Sequence, residues 1–155
     1  MDFIVKYCLP ALLFYIVLVV LVIFLQRALI YYPDRKHYTQ TDVGVSGFTD
    51  MTVQTSDNLK LEGWYKPAQA GKPTLLMFHG NASNYAWRAP TFTPLTDMGY
   101  GLMLASYRGY AQNKGTPSEE GLYRDAEAFM AWLTKNASIP TSSIVLYGES
   151  LGTGV

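Results

Sequence analysis

The sequence is poor in the residues from which metal and redox sites are built. Its 155 residues contain one cysteine, Cys8, and two histidines, His37 and His79. A single cysteine excludes an intrachain disulfide and any cysteine-based metal site. There is no surplus of either charge, since 12 basic residues face 12 acidic ones. That balance gives no electrostatic case for nucleic acid or another polyanion as partner. Gly-rich phosphate loops, dinucleotide fingerprints and metal-ligand spacings are absent, so neither a cofactor nor a metal is expected. No internal repeat or low-complexity stretch occurs.

One thing the chain has in quantity is an apolar run. Tyr7 to Leu25 is almost unbroken, with Lys6 before it and Gln26-Arg27 after it. Its length suits the hydrocarbon core of a bilayer, which needs about 20 helical residues. Tyr7 and Tyr31-Tyr32 suit the two interfaces, and Pro10 falls in the first turn, where a missing N–H costs little. A cleaved signal peptide fits less well, because the run is too long and no small-x-small cleavage site follows. The lipid bilayer is therefore an expected partner through residues 7–25, in a single-pass membrane protein. Basic residues on the far side (Arg27, Arg35, Lys36) outnumber those before the run by too few to fix the side. Cys8 reads as a packing residue, with acylation the alternative.

The rest is organised differently. Residues 1–30 read as the anchor and 31–49 as a juxtamembrane linker, broken by Pro33 and carrying a solvated His37. Residues 50–155 read as part of a folded domain. Met51–Thr55 and Leu59–Tyr65 alternate around a Ser56-Asp57-Asn58 turn, which predicts a β-hairpin. Thr74–Phe78, Tyr100–Tyr107 and Ile144–Tyr147 are continuously apolar, as strands buried on both faces are. Asn84–Asp97 reads as a poor helix interrupted by Pro90 and Pro94. Thr116-Pro117-Ser118-Glu119 reads as a helix start with Thr116 as cap. Leu122, Ala126, Phe129, Met130 and Leu133 then share one face, while Asp125 and Glu127 read as its solvated side. Strands alternating with helices predict an α/β fold, a mostly parallel sheet with helices on both faces.

The segment that carries chemistry is Gly148-Glu149-Ser150-Leu151-Gly152, directly after the last strand. A strand running into Gly-x-Ser-x-Gly is the signature of a nucleophile elbow. The turn is so sharp that side chains two residues either side of the serine would collide. Glycines 148 and 152 remove the collision and leave Ser150 Oγ exposed. The Leu151 N–H then opens the next helical turn, where it can face a developing oxyanion.

Two further clusters lie at carboxyl ends of predicted strands, where ligands of open α/β sheets bind. His79-Gly80-Asn81 follows the strand 74–78. Its glycine permits a tight turn, and the Asn81 N–H is the second candidate oxyanion donor. His79 reads as a support of that loop rather than as a base. Tyr107-Arg108-Gly109-Tyr110 follows the next strand, and Arg108 reads as making a structural ion pair or carbonyl contacts, with neutralisation of a substrate carboxylate as the alternative. Asn81-Ala82-Ser83 and Asn136-Ala137-Ser138 match a glycosylation pattern that occurs cheaply by chance.

Taken in order, His79-Gly80-Asn81, Tyr107-Arg108-Gly109-Tyr110, Gly115-Thr116-Pro117-Ser118-Glu119-Glu120-Gly121-Leu122-Tyr123 and Gly148 to Val155 resemble the α/β-hydrolase superfamily. Within it, the chain resembles membrane-anchored serine hydrolases with one N-terminal transmembrane helix, of the serine aminopeptidase type. The resemblance implies hydrolysis of an ester, thioester or amide of a small-molecule or acylated substrate, through an acyl-serine. It makes Ser150 the nucleophile and the Asn81 and Leu151 amides the oxyanion hole, with His79, Gly80, Gly148 and Gly152 in support. In that superfamily the acid and the histidine follow the serine, and nothing follows Val155 here. The sequence thus reads as the N-terminal portion of the fold, ending after the elbow. The 155-residue chain alone is expected to be inactive, with apolar surface and a sheet edge exposed at its last strand. The alternative is a non-catalytic truncated membrane protein with a binding role or none.

Overall fold

The computed structural model describes residues 4–155, and the first three residues of the expected anchor lie outside them. The chain divides into two compact units at the Tyr32/Pro33 boundary. In the first, a π-helical turn, Ile4–Cys8, runs into helix α1, Leu9–Ile30. At 1.5 Å per residue α1 is about 33 Å long, close to the roughly 30 Å of a bilayer core. An 18-residue stretch within Val5–Ile30 has a mean hydropathy of 3.1, and α1 has no buried residue. Pro10 sits within its first two positions.

The second unit is a five-stranded mixed sheet with a helix on either face. Strands β1 (Thr49–Gln54) and β2 (Lys60–Lys66) form the expected hairpin. Its turn is closed by the Thr55 hydroxyl, which donates to Asp57 Oδ1 at 2.6 Å and accepts from the Leu59 N–H at 2.9 Å. Strands β3 (Thr74–Phe78), β4 (Gly101–Ala105) and β5 (Ile144–Gly148) follow, in the order β1-β2-β4-β3-β5. The pairs β3–β4 and β3–β5 are parallel, and β2 is antiparallel to both β1 and β4.

Helix α2 (Tyr85–Asp97) and helix α3 (Glu119–Lys135) cover opposite faces. Tyr85, Ala86, Ala89 and Phe92 pack with Trp64, Met77, Leu102 and Leu104, with Leu75 at the margin of the same cluster. Leu76 and Phe78, the alternate residues of β3, face α3 instead, as strand periodicity requires. Gly63 lets α3 approach, because a Cβ there would lie 2.8 Å from the Leu104 carbonyl and 2.9 Å from the Phe129 ring.

Four details differ from the sequence reading. Helix α2 is continuous through Pro90 and Pro94. Asn84 caps it by accepting from the Ala86 N–H at 3.1 Å, and its buried face outweighs the two lost backbone bonds. Helix α3 is capped by Ser118, not Thr116: the Ser118 hydroxyl accepts from the Gly121 N–H at 3.2 Å. Thr116 lies outside the helix, before Pro117, which is packed against Gly109. Asp125 is not solvated but wholly buried. Ala126 and Met130 are only half-buried and line an open apolar cleft of about 600 Å³ with Leu76, Phe78 and Leu146.

The segment 33–48 is fastened to the sheet. Gln40 brackets the Phe48 peptide, donating to its carbonyl at 2.8 Å and accepting from its N–H at 3.0 Å. Phe48 is buried, and Tyr38, Val43 and Val45 pack on the core. Strand β5 leaves apolar side chains uncovered: Val145, Leu146 and Tyr147 are all exposed.

Candidate active site

The parallel register aligns three strand ends, since Phe78 lies opposite both Ala105 and Gly148. The residues that follow β3, β4 and β5 therefore emerge together at one edge of the sheet. Because β3 lies between its two successors, this is the point where the strand order reverses, the usual ligand position in such sheets.

Ser150 follows β5 at φ +50°, in the left-handed region. For a residue with a side chain such a conformation costs on the order of 1–3 kcal/mol. Backbone hydrogen bonds and one hydroxyl hold it there. Glu149 N–H donates to the Phe78 carbonyl at 3.1 Å, and Gly152 N–H to the Glu149 carbonyl at 2.9 Å. The Thr153 hydroxyl donates to the Ser150 carbonyl at 2.6 Å, closing a 3₁₀ turn over Ser150–Gly154. Both flanking glycines are obligatory. A Cβ on Gly148 would lie 2.3 Å from the Gly152 carbonyl oxygen, and one on Gly152 would lie 2.2 Å from that of Phe78. The serine side chain is left exposed.

The turn after β3 abuts this elbow. A Cβ on Gly80 would sit 3.5 Å from Ser150 Cβ and 3.3 Å from the Glu149 carbonyl, so the glycine permits close approach. Asn81 comes next, one residue beyond the contact. His79 lies beneath, fully buried, with Nδ1 donating to the Gly80 carbonyl at 2.8 Å. Its other ring nitrogen, Nε2, is buried without a hydrogen-bond partner among the described residues. Burial pulls the His79 pKa down to about 4, opposed by the Gly80 carbonyl and assisted by the charge of Arg88.

This shift has a sign that can be measured. Between about pH 6.5 and 4 the unfolded chain binds a proton at His79 that the folded chain does not. Stability therefore rises with pH across that window and is lost as pH falls, by up to about 3 kcal/mol. Thermal melts at pH 7 and pH 4.5 should show the loss, and His79→Asn should flatten it. A wild-type melting temperature constant over this window would contradict the buried, neutral assignment.

Neither histidine hydrogen-bonds Ser150 among the described residues. His37 instead faces Glu62, with Nδ1 3.5 Å from Oε2. Glu149, between the elbow glycine and the serine, is ion-paired with Arg88 of α2. Arg108 follows the buried pair Ser106-Tyr107 and is itself bound on two sides. Its Nε and Nη2 donate to Asp125 Oδ1 at 2.9 and 2.7 Å, and its backbone N–H to Asp125 Oδ2 at 2.8 Å. Nη1 and Nη2 also reach Asp57 at 2.8 and 3.1 Å. The two carboxylates raise the Arg108 pKa despite burial, so it stays charged and is structural. Sequence reasoning missed the Arg88–Glu149 pair and the acceptor role of Asp125. It also missed the hydroxyls of Tyr107 and Tyr110, although their segment was singled out.

No family model matches the chain. It is 37% identical over 132 residues to an uncharacterized protein of Mycobacterium tuberculosis, covering 84% of this chain and 47% of that protein. An α/β-hydrolase domain-containing protein of Arabidopsis thaliana is 32% identical over 145 residues, covering 88% and 47%. An uncharacterized membrane protein of Saccharomyces cerevisiae is 32% identical over 123 residues, covering 76% and 42%. Among solved structures, an esterase of Pyrococcus furiosus superposes with a TM-score of 0.64 at 24% identity, over 80% of this chain and 49% of that one. The chain thus spans about half the length of the curated relatives it matches.

Proposed function

We propose, starting from the α/β-hydrolase fold that this chain has, that it is the nucleophile-bearing part of a membrane-anchored serine hydrolase. The observation that carries the reading is Ser150. It stands at positive φ between two glycines that tolerate no Cβ, at the end of β5 and against the Gly80 turn. Backbone strain of this kind clusters at functional sites, and a strand-to-helix turn between two glycines presents the serine hydroxyl.

In the proposed reaction Ser150 Oγ attacks the carbonyl carbon of an ester, thioester or amide, and its proton passes to a base. The carbonyl oxygen becomes an oxyanion held by the Asn81 and Leu151 amides. The C–O, C–S or C–N bond then breaks, the leaving group takes the proton, and water releases the acid from the acyl-serine. Neither His37 nor His79 is positioned as the base, so the base and its acid partner are assigned outside residues 1–155. An acylated small molecule is the proposed substrate, and within the fold the reading favours the serine aminopeptidase type.

Helix α1 supports a single-pass anchor at residues 1–30, with 31–49 joining it to the hydrolase portion, 50–155. Its length and hydropathy suit a bilayer, and the yeast relative is described as a membrane protein.

Labelling with a fluorophosphonate tests the proposal. Residues 1–155 alone should stay unlabelled, since a serine without its base is a poor nucleophile. In carbonate-washed membranes holding the full-length protein, the probe should modify Ser150 stoichiometrically, and Ser150→Ala should abolish the label. An intact, folded full-length protein that takes up no probe would favour a binding role instead.

A further inference from the structure

The segment Tyr107-Arg108-Gly109-Tyr110 has no part in the reaction above, yet it is held by many hydrogen bonds. Both tyrosine rings are fully buried, and both hydroxyls point at the Gly80 turn. The Tyr107 hydroxyl donates to the His79 carbonyl at 2.8 Å. The Tyr110 hydroxyl donates to Asn81 Oδ1 at 2.7 Å, an oxygen that also accepts from the Ala82 N–H at 3.0 Å. One tyrosine thus holds the turn where it leaves β3, and the other holds it just beyond the residue that touches Ser150. We propose that Tyr107 and Tyr110 are positioning residues which clamp the His79–Asn81 turn against the elbow. The inference rests on the oxyanion role of Asn81 given above, because that role makes the position of the turn matter.

Three observations make this a clamp rather than core filling. The rings are braced against the turn itself: His79 lies 4.4 Å from Tyr107 and 5.3 Å from Tyr110, and the tyrosines meet edge to face at 5.5 Å. The backbone between them is fixed. Tyr110 N–H donates to the Tyr107 carbonyl at 3.1 Å, and Asn113 Nδ2 donates to the same carbonyl at 3.0 Å while its Oδ1 accepts from Glu62 N–H at 2.9 Å. Arg108, between the two tyrosines, is bound to Asp57 of the hairpin turn and Asp125 of α3. The clamp is therefore referenced to β2, to the hairpin and to α3, whereas the turn it holds is a short, glycine-containing loop. Burial raises the Tyr107 phenol well above its ordinary range, so its hydroxyl remains a donor at any working pH. A core tyrosine acting only by volume is replaceable by phenylalanine without effect on the site; a clamp is not.

Tyr107→Phe and Tyr110→Phe in the full-length protein separate these cases, with Tyr65→Phe, which packs on Trp132 away from the site, as the control. Amide hydrogen exchange over residues 79–83 should quicken about tenfold in each clamp variant, the effect of one lost hydrogen bond, and stay unchanged in Tyr65→Phe. The first-order inactivation constant for a fluorophosphonate should fall about tenfold, with its binding constant unchanged. Unchanged exchange in both clamp variants, or weakened binding at an intact inactivation constant, would overturn the proposal. A wild-type protein that is never labelled would refute the hydrolase reading, while the exchange data would still decide whether the hydroxyls hold the turn.

Discussion

Asp125→Ala should cost on the order of 3–5 kcal/mol of folding stability, a large part of the roughly 5–15 kcal/mol that holds a domain together. The carboxylate is completely inaccessible and accepts three hydrogen bonds from a single residue, Arg108. Truncation leaves a guanidinium whose side chain is only 7% exposed with one partner, and a buried backbone N–H with none. The remaining partner, Asp57, is about a third exposed and is screened accordingly. Thermal melts of the full-length protein in detergent check this. Asp125→Leu combined with Arg108→Met should recover part of the loss, because it removes both charges together. A cost below about 1 kcal/mol for Asp125→Ala would show the pair to be a minor contact.

Gly152→Ala should cost about 3 kcal/mol or more and reduce fluorophosphonate labelling of the full-length protein at least a hundredfold. The added methyl meets the Phe78 carbonyl oxygen at 2.2 Å and its carbon at 2.7 Å. That carbonyl is pinned by the Glu149 N–H and by the pairing of Phe78 with Gly148, so relief comes only by prising the elbow from β3. Such movement takes Ser150 away from the Gly80 turn, and misplacements near 1 Å are enough for large kinetic losses. Gly154→Ala is the control: nothing lies within 4 Å of a Cβ there, and its stability should stay within about 0.5 kcal/mol. Equal behaviour of the two variants would refute the steric argument.

How far these features were readable depends on the distance over which each is decided. Strand β3 was legible to the residue, because Pro73 and the His79-Gly80 turn bound an apolar run too short for a helix. The elbow was legible because its constraint is local: glycines two positions either side of a serine after a strand. Asp125 was not. The buried stripe of α3 runs Leu122, Asp125, Phe129, Leu133, so helical spacing does put the aspartate inside. Its charge argued for solvent, and the arginine that makes burial tolerable lies in another element. The tyrosine hydroxyls were hidden for the same reason, since their acceptors belong to a turn well upstream. Helix α2 shows the converse error, where two prolines spoke locally against a helix that tertiary packing sustains.

The sheet order also has a kinetic side. Hairpin pairing joins Val53 to Leu61, whereas β3–β5 pairing joins Thr74 to Ile144. Closing the longer loop costs more chain entropy and slows the step that depends on it. The strained serine is set by that last closure, through Phe78, and cannot adopt its geometry in a chain that has folded only its hairpin and β3–β4. A chain paired only at its hairpin and at β3–β4 would lack the Phe78 contact that holds the serine at positive φ. The exposed serine takes its left-handed geometry only once the pairing of β3 with β5 is complete.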